Sequence, residues 1–202
     1  MEVSRADAVY RQTERRLFAL RSGDDAMIRG RLANLRRGAG RKPGDDPQLW
    51  GLIFEDLPDY MEGRGGAPSR EEWAIHIALT LYAVHQQGND PKTHNMDVDK
   101  VSLGAAAAKL VAAYGGEDAR ERVSRRFNQL ALAQDIDSMA YYLRGFVQLL
   151  RAEDIGLDYA VLARDLYVYQ TADGAASVRL RWGEDYYRTN NDDAENGKED
   201  VK

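Results

Sequence analysis

The chain has 202 residues, 44% of them hydrophobic, enough to bury a sizeable core as one large domain or two small ones. It contains no cysteine, which excludes disulfides, thiolate metal sites and a cysteine nucleophile together. The formal net charge of −5 argues, taken alone, against a nucleic-acid partner.

The charge is unevenly spread. Residues 1–42 hold 11 Lys/Arg against 5 Asp/Glu, and residues 120–151 hold 6 against 3. Between and after them, residues 43–119 hold 5 against 13 and residues 152–202 hold 6 against 12. If folding brings the two basic segments onto one face, an acidic, soluble body presents a positive groove. The N-terminal stretch MEVSRADAVYRQTERR lacks the apolar centre of a signal peptide, and no run of about 18 apolar residues occurs. A cytoplasmic protein without a membrane partner is the expectation.

In chain order, the spacing predicts a first helix from about Ser4 to Leu20, punctuated by Ser22, Gly23 and Asp24. A second, about Asp25 to Arg37, carries Ile28, Leu32 and Leu35 inward. It places Arg29 and Arg36, with Arg31 and Arg37 beside them, away from that stripe, and Gly38 marks its end. GAGRKPGDDP reads as a loop with a mobile basic tip at Gly40, Arg41 and Lys42, and a short helical piece follows from about Pro47 to Phe54. Ser69 followed by Glu72 is a capping box ahead of WAIHIALTLYAVH, a helix apolar nearly all round and therefore central. Gly88 to Asp99 is a polar connection. SLGAAAAKLVAAYGG is a helix whose small residues permit close approach, ended by Gly115 and Gly116.

Arg120 to Arg151 reads as two amphipathic helices with arginine ridges. Val123, Phe127 and Leu130 face inward on the first, and Arg122, Arg125, Arg126 and Gln129 cluster roughly 120° away. On the second, Met139, Leu143, Phe146, Val147 and Leu150 are the buried face, with Arg144, Gln148 and Arg151 beside it. Asp158 caps a helix through Gln170, and VRLRWGEDYYR forms the last one. SVRLRW is the only weak strand alternation. The fold class is all-α, a helical bundle of about eight to nine helices: an N-terminal subdomain over residues 1–98, a C-terminal one over 99–188 and an acidic, disordered tail over 189–202.

Candidate chemistry is mostly absent. His76, His85 and His94 form no HExxH or other ligand set, and there is no phosphate-binding glycine loop or serine elbow. The carboxylate pairs Asp45/Asp46, Asp97/Asp99 and Asp192/Asp193 fall in loops or the tail, where Asp97 and Asp99 are the pair able to hold a cation weakly. No enzyme, metal or cofactor is expected. The arginines remain. A charged stripe is ordinarily a solvated face, but Arg122, Arg125 and Arg126 have only Glu121 as a near acidic neighbour. Guanidinium groups fork onto phosphate oxygens and stack on unpaired bases, so the residues alone point to a nucleic-acid-binding helical module.

Four segments in order carry a resemblance: AMIRGRLANLRRGAG (26–40), VSLGAAAAKL (101–110), SRRFNQL with LRGFVQLL (124–130 and 143–150), and LDYAVLARDLYVYQ (157–170). The chain resembles the CasB family, the small subunit of the type I-E CRISPR interference complex, Cascade. The resemblance implies an all-α, non-catalytic protein that pairs with a second copy of itself. Its other implied partners are the remaining Cascade subunits, the guide RNA ribonucleoprotein and the single-stranded DNA of the R-loop. Carried over residue by residue, it marks Arg29, Arg36, Arg37, Arg125, Arg126 and Arg144, and ridge geometry adds Arg122 and Arg151. Where some relatives carry further arginines after QL, this chain has Ala131 and Leu132. For Arg29 and Arg37 the competing expectation is pairing with Asp45/Asp46. The competing function is a protein-only scaffold that docks neighbours through Leu49, Trp50 and Phe54, and a more distant one is a metal-dependent hydrolase.

Overall fold

The computed structural model describes the backbone of residues 4–199 and the side chains of residues 4–189. Among the described residues nine α-helices follow one another: α1 (Arg5–Leu20), α2 (Asp25–Gly38), α3 (Trp50–Ile53), α4 (Arg70–His85), α5 (Leu103–Ala113), α6 (Glu117–Ala131), α7 (Ile136–Ala152), α8 (Tyr159–Tyr169) and α9 (Gly174–Glu199). Short 3-10 turns at Pro47–Leu49 and Asp59–Met61 complete the regular structure. Among the described residues β pairing is confined to isolated bridges, one of which joins Asp97 to Leu157. The all-α expectation holds.

Most helix starts follow the sequence closely because a side chain accepts from their free amides, whereas α3 and α6 begin without such a cap. Ser4, Asp24, Ser102, Asp135 and Asp158 each accept a backbone N–H from their own first turn. At α4 the capping box is complete: Ser69 Oγ accepts from the Glu72 amide at 2.9 Å, and Glu72 Oε2 accepts from the Ser69 amide at 2.7 Å.

α4 is the axis of the bundle, buried from Ala74 through His85. α1, α2, α7 and α8 all pack on it, so its lack of a polar face follows from having neighbours on every side. α5 lies against α9, where Gly104 allows contact too close for any side chain: a Cβ there would stand 2.1 Å from the Trp182 carbonyl oxygen. Asp165 on α8 locks α9 in turn, accepting from Trp182 Nε1 at 2.8 Å and Arg181 Nη2 at 2.7 Å.

Three local expectations change. SVRLRW is helical, because Val178 and Trp182, four apart, are the residues α9 buries in this segment. α9 continues past Thr189 to Glu199 in a stretch without proline, while residues 200–202, also assigned to the tail, lie outside the described residues. Gly38 ends α2 as expected, and is also needed for closeness, since a Cβ there would meet Leu49 Cδ1 at 2.3 Å. That same contact buries Leu49, and Phe54 is half-covered, so only Trp50 of the three expected docking residues is exposed.

Candidate nucleic-acid interface

The eight candidate arginines sit on three helices whose inner faces are those read from the sequence. Ile28, Leu32 and Leu35 of α2 are buried, as are Val123, Phe127 and Leu130 of α6 and Met139, Leu143, Phe146, Val147 and Leu150 of α7. Burying these stripes leaves the guanidinium groups outward, each in its own setting.

On α2, Arg29 is exposed beside Asp25, whose carboxylate is held by Lys92 Nζ at 2.8 Å. That lysine's hydrogen bond and charge keep the Asp25 carboxyl below its ordinary pKa. Arg36 is half-buried, and burial lowers its pKa from the usual guanidinium value. With Ile28, Leu32, Gln86 and Pro91 it lines a cleft of about 500 Å³ between α2 and the end of α4. Arg37 donates to Asn34 Oδ1 at 2.5 Å and Gln48 Oε1 at 2.6 Å. The Asp45/Asp46 loop therefore captures neither Arg29 nor Arg37 among the described residues; Asp46 lies 3.8 Å from Arg41 instead.

On α7, Arg144 Nη1 donates to the Ala39 carbonyl at 3.1 Å, tying α7 to the end of α2. Arg151 is half-buried near His85, whose pKa its charge helps to depress. On α6, Arg125 pairs with Glu121 at 3.0 Å along its own helix, whereas Arg122 and Arg126 have no carboxylate partner among the described residues. Those two flank a small hollow with Tyr114 and Leu149.

At about 100° per residue, Leu149 is some 140–160° around α7 from Arg144 and Arg151. The arginines thus fall into two groups on opposite flanks of α7. Arg29, Arg36, Arg144 and Arg151 gather around the α2–α4–α7 side, and Arg122 and Arg126 line the α6 side. Sequence spacing places each group but not their separation, which depends on which flank of α7 receives α6.

Two features escaped the sequence reading. Arg31 is not free, because its guanidinium donates to the Ala19 and Ser22 carbonyls, both at 3.0 Å, and closes the end of α1. Tyr141 and Tyr142, both outside the apolar stripe of α7, are exposed; that position was the available signal. Asp97, read from the sequence as half of a loop pair able to hold a cation only weakly, is half-buried, accepting from Arg21 Nη1 at 2.8 Å and the Tyr159 amide at 3.1 Å. Among the described residues no group of three or more His, Asp or Glu is placed to hold a metal ion, and no helix is long and apolar enough to cross a membrane.

Comparison with known proteins gives one consistent result. The family model for CRISPR-associated protein Cse2 matches residues 31–187. CasB from Thermobifida fusca has a similar structure, with 34% sequence identity, a TM-score of 0.67, and 90% of this chain and 96% of that one covered. CasB from M. ruber shares the fold at 23% identity and a TM-score of 0.61, covering 96% of this chain and 98% of the other. A Cse2-family protein from Thermus thermophilus does so at the same identity and TM-score, with 92% and 99% covered. No curated protein sequence matches the chain. The match over most of the chain, joined to the T. fusca likeness, shows that this protein belongs to the Cse2, or CasB, family of CRISPR-associated proteins.

Proposed function

We propose that the chain is the non-catalytic small subunit of a type I-E RNA-guided DNA surveillance complex, Cascade, acting in the cytoplasm in antiviral defence. In this reading two copies sit side by side in the complex, against the other subunits and the guide ribonucleoprotein. The arginine groups on α2, α6 and α7 hold the sugar–phosphate backbone of the displaced and target strands. Opening a duplex on a guide is nearly neutral in base-pairing energy, so backbone contacts that ignore sequence are sufficient to tip it. The observation that carries the proposal is Arg122 and Arg126: exposed on α6 and without a carboxylate partner among the described residues, in a chain of this family.

The test is target binding by the reconstituted complex with the Arg122→Ala/Arg125→Ala/Arg126→Ala subunit, after its assembly has been verified. Weaker formation of the open loop with a shallower salt dependence supports the proposal. Unchanged assembly and unchanged loop formation would favour a protein-only scaffold. The specific observation on that side is that Arg37, Arg125 and Arg144 already have partners within the chain while Trp50 is exposed.

A further inference from the structure

Beneath the loop that follows α2, the α4–α7 side of the bundle opens into a second cleft of about 250 Å³. That is below the ~300–1,000 Å³ of pockets for drug-sized ligands, and suits one planar ring system. Trp73, His76 and Thr80 of α4 form one wall, Tyr141 and Arg144 of α7 the other, and Arg41 closes the loop side. Tyr141 is 76% exposed, meets Tyr142 edge-on at 5.6 Å, and has not been drawn into the core. An exposed tyrosine, a partly buried tryptophan and two guanidinium groups around one small cleft are the components of a base-stacking site, in which rings take the base and cations take the adjoining phosphate.

Two further observations define how a ligand would lie. Arg144 is held toward the loop by its bond to the Ala39 carbonyl, and Arg41 stands on the loop itself, its side chain 55% exposed and 3.8 Å from Asp46. Asp137 lines the opposite end, where its carboxylate repels phosphate and orients the polar end of the ligand toward the arginines. Buried His76 lines the cleft and faces the Gly38 carbonyl through Nε2 at 3.2 Å.

We infer that this cleft holds a single unpaired nucleobase, stacked on Tyr141 and Trp73, with its phosphate on Arg41 and Arg144. This rests on the nucleic-acid reading above and adds to it a place where the strand is held by a base as well as by its backbone.

The experiment uses the full chain and a short oligodeoxynucleotide, its abasic twin, an oligoribonucleotide of the same sequence and the free nucleoside monophosphate. The intact strand is expected to bind about tenfold more tightly than the abasic one, in line with the usual worth of one base–aromatic stack. Tyr141→Ala, exposed and therefore safe for folding, should erase that difference. A strand carrying a photoreactive base should crosslink to the peptides containing Tyr141 or Trp73. The RNA and monophosphate arms show whether the occupant is a DNA base, an RNA base or a free nucleotide. Equal, salt-sensitive binding of intact and abasic strands overturns the base site and leaves the backbone reading intact. Absence of binding in every arm also overturns it, and the triple-arginine comparison in the assembled complex then decides the backbone reading separately.

Discussion

His85 shows how a single buried residue sets the conditions under which the fold survives. Its Nδ1 lies 2.9 Å from the Tyr159 hydroxyl, and its Nε2 has no partner. Burial, helped by the charge of Arg151 and opposed by Asp154, pushes the imidazole down to about 4. Because the folded value lies below the ordinary 6.5, the unfolded chain binds the proton more readily. The stabilisation is complete above about pH 6.5 and is lost as pH falls from there toward 4. His76, lowered by burial in the same direction, adds to the loss, whereas Asp97, raised by burial, works against it at the acid end. Chemical denaturation at pH 7.5 and pH 5 should show wild type losing on the order of 2 kcal/mol. His85→Gln should show a clearly smaller loss, and equal losses would refute this account.

Arg16 presents the opposite case of a charge kept inside. Its guanidinium donates to the Ile53 carbonyl at 3.1 Å, the Glu55 carbonyl at 2.7 Å and Gln12, holding the α3 region against α1. Burial lowers its pKa to about 10, still far above neutrality, so the cation persists. Arg16→Met removes the donors and strands those carbonyls. A cost of about 2–4 kcal/mol is expected in urea unfolding, with Arg15→Met, its exposed neighbour, as the control.

At the scale of elements, the decisive features are ends and crossings. Ser69→Ala breaks one half of the α4 capping box and the bond from Ser69 Oγ to the Met61 carbonyl, and should lower stability by about 1–2 kcal/mol. Gly104→Ala drives a methyl group into the Trp182 carbonyl and should cost about 1–3 kcal/mol, read as a fall in the thermal midpoint, with exposed Gly145→Ala neutral or stabilising.

These two sites also show what could be read in advance. The capping box is local, with partners three residues apart, so its spacing sufficed. The apolar stripes of α2, α6 and α7 were legible for the same reason: helical periodicity is a property of one segment. Gly104 could be read only as permissive of close approach, since the carbonyl it admits lies far along the chain. Arg144 and Arg37 could be marked as outward but not as occupied, because Ala39 and Gln48 reach them only after helices pack. Leu49 was misplaced because its burial requires Gly38 to stand directly above it.

Considered whole, the molecule is acidic, yet a few arginines on α2, α6 and α7 have no carboxylate partner among the described residues. Any strand binding they provide must show in its ionic response. Each phosphate contact on a single strand adds roughly 0.7 to the slope of log affinity against log salt. The Arg122→Ala/Arg126→Ala subunit should therefore reduce that slope by about 1.4 per copy, or about 2.8 for the two copies of the assembled complex, without a change in preferred sequence. A slope equal to wild type would mean that neither group touches phosphate.

The central position of α4 has a further consequence, in time rather than in space. A helix enclosed by α1, α2, α7 and α8 cannot expose its amides by fraying or by the release of one neighbour. Its hydrogens should exchange with solvent only when the entire bundle opens, whereas those of α9 beyond Trp182 should exchange through local events. Pushed by a neighbouring subunit, such a molecule would move as a solid body, with adjustment confined to its periphery.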